Sequence, residues 1–209
     1  MSRILAIVLA AGDGKRLGGP KALLAWPSPS GKDRPLAIAH AEERLAADCA
    51  EVLLVVRKTM IPALLGYSRP GVSLLSSDAA GDLGPAGSLA FAVSRLPEGD
   101  LILITPVDTQ PAKAETVRAL KERLLADPEL LAARPVYKGR GGHPVIVRRA
   151  ALDAYKAAGP PPTLRLHLAS LGDRVAVVDV SDPTIVLDLN TPADVMGVLR
   201  ALPRFLPGG

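Results

Sequence analysis

The chain has 209 residues, 48% of them hydrophobic and only 3% aromatic, with a net charge of +4. That length suits one domain of roughly 100–200 residues, and the scarcity of aromatics argues against binding single-stranded nucleic acid by base stacking. The isoelectric point near 9.4 comes without a long basic run, which suits small polyanions at least as well as nucleic acid. Cys49 stands alone, so no intrachain disulfide can form; its expected place is an inert, buried one.

In chain order, Ile4–Ala10 reads as a buried strand, too short to span a membrane and followed by no cleavage-site pattern. A cytoplasmic protein with no membrane or nucleic-acid partner is the expectation. A Pro-rich loop, Trp26–Pro35, leads to a helix at Ala37–Ala47, a strand at Glu51–Arg57, a short helix at Pro62–Leu65 and a strand at Val72–Leu75. The loop Gly81–Gly87 opens a helix that runs through Arg95. Asp100–Thr105 is a nearly uninterrupted apolar strand, as expected at a sheet centre covered on both faces. The helix Ala114–Ala126 ends at Asp127-Pro128. Ala132–Tyr137 and Pro144–Val147 read as paired strands, and helices at Ala150–Ala158 and Leu164–Leu171 flank Pro160–Pro162. Strands at Arg174–Val180 and Thr184–Leu187 precede a last helix, Thr191–Leu202, and a tail from Pro203 to Gly209 expected to fray. Alternating strands and helices without a dividing linker give a single α/β domain, residues 1–209, with a mostly parallel sheet.

The richest segment is Leu9-Ala10-Ala11-Gly12-Asp13-Gly14-Lys15-Arg16-Leu17-Gly18-Gly19-Pro20-Lys21. Glycine lets backbone amides converge on an anion, and the cations add charge-assisted bonds to phosphate oxygens. The segment is not a P-loop, because Gly14-Lys15 is followed by Arg16 rather than Ser or Thr. Nor is it a dinucleotide fingerprint, which would need glycine where Leu17 sits. A strand-to-helix corner explains the glycines equally well, but not Arg16 and Lys21.

Two carboxylates follow strands or precede helices in suggestive places. Asp108, just past the central strand, would face the glycine loop if ligands sit at strand carboxyl ends; an Asx-turn or helix N-cap is the alternative. In Asp188-Leu189-Asn190-Thr191-Pro192-Ala193-Asp194, a capping box accounts for Thr191, Pro192 and Asp194. It leaves Asp188 and Asn190 unexplained.

The glycine segment resembles the signature loop of nucleotidyltransferases with a MobA-like fold, and Gly142-His143-Pro144-Val145-Ile146 is similar to the molybdenum cofactor cytidylyltransferase (MocA-like) branch. The resemblance implies a Rossmann-like three-layer sandwich of the nucleotide-diphospho-sugar transferase type. It implies a Mg²⁺-dependent enzyme that moves NMP from an NTP to a phosphorylated acceptor with release of pyrophosphate. CTP is favoured over GTP as donor, molybdopterin is implied as acceptor, and a transient contact with a molybdoenzyme follows. Leu9, Ala10, Ala11, Gly12, Gly14, Arg16, Lys21, Ser77, Gly87 and Ser88 would bind nucleotide. Lys21, Arg16 and Asp108 would be catalytic: Arg16 neutralises the leaving pyrophosphate and Lys21 the α-phosphate. Asp108 and Asp188 would hold the metal, and His143 and Asn190 would meet the acceptor.

Departures from the branch keep three rivals open. Gly84-Pro85-Ala86-Gly87-Ser88-Leu89 replaces G-x-x-S-S-L, and its Gly-Pro is similar to the molybdopterin guanylyltransferases. Gly159–Arg165 replaces an acidic G-D-x-G-A-R segment of the acceptor side. The rivals are a guanylyltransferase, a sugar-phosphate or alcohol-phosphate nucleotidyltransferase, and a non-catalytic nucleotide or cofactor carrier for molybdoenzyme maturation.

Overall fold

In the computed structural model, residues 3–77 and 83–207 are described. Their strands are β1 Ile4–Leu9, β2 Ala25–Trp26, β3 Arg34–Pro35, β4 Glu51–Val56, β5 Val72–Ser76, β6 Leu101–Pro106, β7 Ala132–Tyr137, β8 Arg140–Gly141, β9 Val145–Arg148 and β10 Val175–Asp179. The main sheet has the order β10-β7-β9-β6-β1-β4-β5, with β8 paired to β7. β6, β1, β4 and β5 are mutually parallel, as are β7 and β10. β9 runs antiparallel between β6 and β7. The sheet is therefore mixed but mostly parallel, as the alternating pattern predicts.

Period-two alternation divides β1 between two cores. Ile4, Ala6 and Val8 pack with Leu36 and Ile38 of the helix Leu36–Ala46 and with Val117, Leu120 and Leu124 of the helix Ala114–Leu125. Leu5 and Ile7 face Leu89, Ala92 and Val93 of the helix Gly84–Val93 on the other side. Helices thus cover both faces, which is why β1 and β6 read as continuous apolar runs. From β1 the chain winds outward through β4 and β5, then returns to β6 on the other side of β1. Ligands of open α/β sheets bind beyond the strand carboxyl ends at such a reversal.

Four expectations change. The stretch expected as a helix at 150–158 is a 3₁₀ turn, Arg149–Tyr155, whose buried Leu152 and Tyr155 stand three apart, the repeat of that helix. The strand expected at 184–187 is also a 3₁₀ turn, Pro183–Val186, because Asp182 caps it by accepting from the Thr184 amide and Pro183 takes its first position. The last helix spans Pro192–Leu199 and stops where Arg200 turns left-handed at φ 56°. Residues 204–206 do not fray: Ala25 N donates to Arg204 O at 2.7 Å and Leu206 N to Leu23 O at 2.9 Å. Gly81 and Asp82 of the expected loop, and Gly208 and Gly209 of the tail, lie outside the described residues.

Buried polar groups tie the segment after β6 to the core. His40 and Arg44 lie one turn apart on the helix Leu36–Ala46, both fully buried. His40 Nε2 donates to Thr109 O at 2.9 Å, and Arg44 Nη2 donates to Ala112 O. Asp182 accepts from Lys113 N and Thr116 Oγ1, both at 2.9 Å, so the turn before Asp188 is fixed to the same segment. Cys49 is buried as expected, and burial pushes its thiol up to about 11.

Burial, reinforced by the Arg44 charge, pushes the His40 pKa down to about 3 from 6.5. The unfolded chain therefore binds a proton that the folded chain refuses between those values. Stability is fully present above about pH 6.5 and falls toward about pH 3 by up to ~1.4 kcal/mol per pH unit. His40→Gln, which keeps a donor and cannot charge, is expected to flatten this part of the curve in urea titrations between pH 4 and 7.

Candidate active site

The two strands at the reversal end level. Leu9 stands opposite Pro106, and Val107 N donates to Leu9 O at 3.0 Å. The glycine loop after β1 and Asp108 after β6 consequently leave the sheet side by side. Inside the loop, Gly14 O accepts the amides of Leu17 at 2.8 Å, Gly18 at 3.1 Å and Gly19 at 3.3 Å. Gly14 has φ 62°, and a Cβ there would lie 1.8 Å from Gly19 O. Only glycine fits. A Cβ on Gly12 would meet nothing within 4 Å. Among the described residues, the amides from Ala11 to Arg16 donate to no acceptor, which leaves a run of donors suited to an anion.

This loop forms one wall of a cavity of about 300 Å³, through Ala11, Gly12, Gly14, Lys15, Arg16 and Lys21. Gly84 and Pro85 of the first turn of the helix Gly84–Val93, with Ser88 one turn on, form another, where the helix dipole presents its positive end. Leu9, Arg57, Pro106, Val107, Asp108 and Asn190 complete the lining.

The second acid arrives by pairing rather than by sequence. Leu189 N donates to Asp108 O at 2.7 Å and Gln110 N to Leu187 O at 3.2 Å, while Thr109 and Asp188 form an antiparallel bridge. Lys21 Nζ donates to Asn190 Oδ1 at 2.6 Å and lies 3.7 Å from Asp108 Oδ2. A lysine has only donors, so this contact fixes which way the Asn190 amide points. Burial lowers the Lys21 pKa, Asp108 raises it, Arg16 lowers it further and Asp188 raises it. The four groups therefore share one electrostatic neighbourhood. Asp108 is not a helix cap, because Lys113 precedes the helix Ala114–Leu125 without a side-chain cap. The capping box at Thr191 and Asp194 is formed as the spacing predicts, and Asp194 Oδ2 also accepts from Asn190 N at 2.9 Å.

Among the described residues no group of three or more His, Cys, Asp and Glu could hold a metal ion. Asp108 lines the cavity, whereas Asp188 does not but stands beside it through the bridge to Thr109, so the candidate donor set is these two carboxylates. That set fits Mg²⁺, which takes one or two carboxylates and fills the remaining positions with water and phosphate oxygens.

Gly142-His143 packs on the turn Pro183–Val186: His143 N donates to Ile185 O at 3.2 Å, and a Cβ on Gly142 would lie 2.1 Å from that oxygen. Burial lowers the His143 pKa, while Asp108 and Asp188 raise it, so the ring stands within the field of both acids. Its Nδ1 is buried without a partner among the described residues. His143 also lines a second cavity of about 650 Å³ with Arg134, Arg165, Val145, Leu164 and Leu168.

Of the residues expected at the nucleotide, Leu9, Ala11, Gly12, Gly14, Arg16, Lys21 and Ser88 line the first cavity. Ala10, Ser77 and Gly87 do not; all three are buried, and Ala10 N is used by Val55 O. The sequence reading passed over Arg57 and Lys15. Arg57 directly follows β4, the neighbour of β1, and Nε lies 2.8 Å from Asp13 Oδ1. Its position one residue past a strand beside β1 is the signal that marks it.

A model of the MobA-like NTP transferase domain matches residues 6–175, and the chain belongs to that family of nucleotidyltransferases. No curated protein matches the chain significantly. Among solved structures, Rv0371c of Mycobacterium tuberculosis H37Rv in complex with manganese is similar at 22% identity, with 96% of this chain and 100% of that chain covered and a TM-score of 0.72. A nucleotidyl transferase from Methanothermobacter thermautotrophicus matches at 22% identity, 94% and 95% coverage and a TM-score of 0.73. The 4-diphosphocytidyl-2C-methyl-D-erythritol synthase of Anaerococcus prevotii matches at 15% identity, 96% and 97% coverage and a TM-score of 0.71. Among the described residues, no helix is long and apolar enough to cross a membrane.

The loop geometry separates two glycines. Gly14→Ala is expected to destabilise the unliganded protein by about 1–3 kcal/mol, from left-handed strain and the clash with Gly19. Gly12→Ala is expected to stay within about 0.5 kcal/mol, as ordinary surface changes do. Urea denaturation of the two variants beside the parent checks both.

Proposed function

We propose that this member of the MobA-like NTP transferase family transfers CMP from CTP, held with Mg²⁺, to the phosphate of molybdopterin and releases pyrophosphate. The observation that carries the reading is the convergence, at one cavity, of a run of unpartnered amides, the cations Lys15, Arg16, Lys21 and Arg57, and the Asp108 carboxylate, with Asp188 brought alongside by its bridge to Thr109. The manganese of one structural neighbour supports a divalent ion. The diphosphocytidyl compound in the name of another supports cytidyl transfer.

In this mechanism an oxygen of the acceptor phosphate forms a bond to the α-phosphorus, and the bond from that phosphorus to the β-bridging oxygen breaks. Pyrophosphate takes the electron pair. No general base is required, because the acceptor phosphate is already ionised. The chain supplies position and charge, the two needs of phosphoryl transfer. Amides from Ala11 to Arg16 hold the triphosphate, and Arg16 neutralises the leaving group. Lys21 stands at the α-phosphate; the Asp108 carboxylate and Asn190 amide aim its ammonium there, so Asn190 serves Lys21 rather than the acceptor directly. Asp108 and Asp188 would hold Mg²⁺, which supplies charge neutralisation for the phosphates when bound. Ser88 and the turn that starts at Gly84 face the nucleoside.

The acceptor enters from the side of His143. That residue lines the second cavity while remaining within the field of Asp108 and Asp188, which supports a path between the two. The mixed lining of Arg134 and Arg165 with Val145, Leu164 and Leu168 suits a partly apolar molecule that carries oxygen acceptors. A GTP-using variant of the reading is favoured by Gly84-Pro85 at the nucleotide cavity.

Two measurements test the proposal. Pyrophosphate release across the four NTPs with molybdopterin is expected to be greatest with CTP. Asp108→Ala and Lys21→Ala should each lower it by at least ~100-fold, since metal and charge stabilisation contribute several kcal/mol. Nucleotide binding without release, unaltered by Asp108→Ala, identifies a carrier instead. Second, the lowered Lys21 pKa means that this residue loses its charge at lower pH than an ordinary lysine. kcat/KM, which reports the free enzyme, is therefore expected to fall on the alkaline side before about pH 10.4, the free lysine value, and Lys21→Arg should abolish that limb in whatever activity it keeps.

A further inference from the structure

Residues 204–206 lie against the glycine loop in a way that the nucleotide cavity alone does not explain. They attach to the two-stranded sheet of β2 and β3 through one antiparallel bridge. Leu24 bridges Phe205 on one side, and Leu36 N donates to Leu24 O at 2.8 Å on the other. The strip they pair with, residues 23–25, begins two residues after Lys21 and belongs partly to its 3₁₀ turn, Lys21–Leu23. Arg204 is further ion-paired with Asp33.

The Phe205 ring makes the closer contact. A Cβ on Gly19 would lie 2.9 Å from it, so the ring rests on bare Gly19 backbone. Gly19 in turn lies against Gly14, where a Cβ would meet Gly19 O at 1.8 Å. Ring, Gly19 and Gly14 therefore stack without an intervening side chain, from the segment 204–206 to the floor of the phosphate cradle. The half-buried ring packs on the core cluster that includes Leu17, Ala22 and Leu24.

We infer that residues 204–206 act as a strap that sets the shape of the cradle, and that Phe205 is a positioning residue for Lys21. The strap touches neither the cavity nor the reacting groups. It backs the loop before Lys21 through Gly19 and clamps the strip after it through hydrogen bonds. Binding of nucleotide in the cradle and docking of the strap are thus linked: each favours the other by the same factor. The inference rests on the nucleotide reading of the cavity only for the choice of probe.

Hydrogen exchange in the unliganded full chain is the first test. Phe205→Ala is expected to raise exchange at least tenfold at the hydrogen-bonded amides of Leu17, Gly18, Gly19, Leu23 and Leu24, while β1, β4 and β6 keep their protection. Gly19→Ala, which pushes the ring away without altering the strap, should do the same, and Phe205→Tyr should restore the parent pattern. Mg·CTP then serves as ligand. Trypsin cleavage after Arg204 is expected to slow when it binds, and Phe205→Ala should weaken its affinity about tenfold, with Phe205→Tyr near the parent. Unchanged exchange in both Phe205→Ala and Gly19→Ala, or a uniform rise across the sheet in both, overturns the strap. If the parent binds no Mg·CTP, the nucleotide reading falls while the exchange data still decide the strap.

Discussion

Burying an ammonium group costs free energy unless opposite charge and hydrogen-bond acceptors come with it. Lys21 is in that position, with its side chain 13% exposed. Its partners, Asp108 and Asn190, come from the far side of the sheet's reversal and from the segment before the last helix. Holding one charge in this way forces three stretches of chain, remote in sequence, to meet at one point. The cavity takes its shape from that meeting. The remaining desolvation still lowers the lysine pKa, so the site keeps part of the cost as a tuned cation.

The geometry survives because each contributor has its own support in the core. The segment 108–112 hangs by its carbonyls from His40 and Arg44 on a helix beneath the sheet. The segment 182–189 is fixed by Asp182 to the start of the helix Ala114–Leu125, then pairs with 108–110. Asn190 is held by the same Asp194 carboxylate that closes the capping box. Buried polar groups thus spend their bonds on backbone at loop positions, where no strand partner exists to satisfy it. This is a rigid frame around a cradle whose own amides are left open.

The two cavities differ in chemistry. The first joins amides, cations and acids, the means to neutralise a triphosphate; the second joins arginines with apolar side chains, the means to hold a different kind of molecule. His143 stands between them, its ring sensed by both carboxylates. Arg165, at the end of the segment Gly159–Arg165, lines the second cavity.

Much of this was legible in the chain alone. Continuous apolar runs at Ile4–Leu9 and Leu101–Thr105 specify central parallel strands because both faces are covered; the glycine and cation spacing after the first specifies a cradle; and Thr191, Pro192 and Asp194 specify a helix start. These signals are local, decided within a few residues by sterics and hydrogen bonding. What the sequence could not decide were long-range contacts. The pairing of 187–189 with 108–110, the insertion of β9 between β6 and β7, the support from His40 and the docking of residues 204–206 leave no local pattern. Each depends on which surfaces remain unpaired once the sheet has formed. Arg57 was missed for the same reason: a residue just past a strand becomes part of a site only when the strand order places it beside the loop. Local chemistry named the groups, and tertiary pairing, by choosing their neighbours, decided which of them could act together.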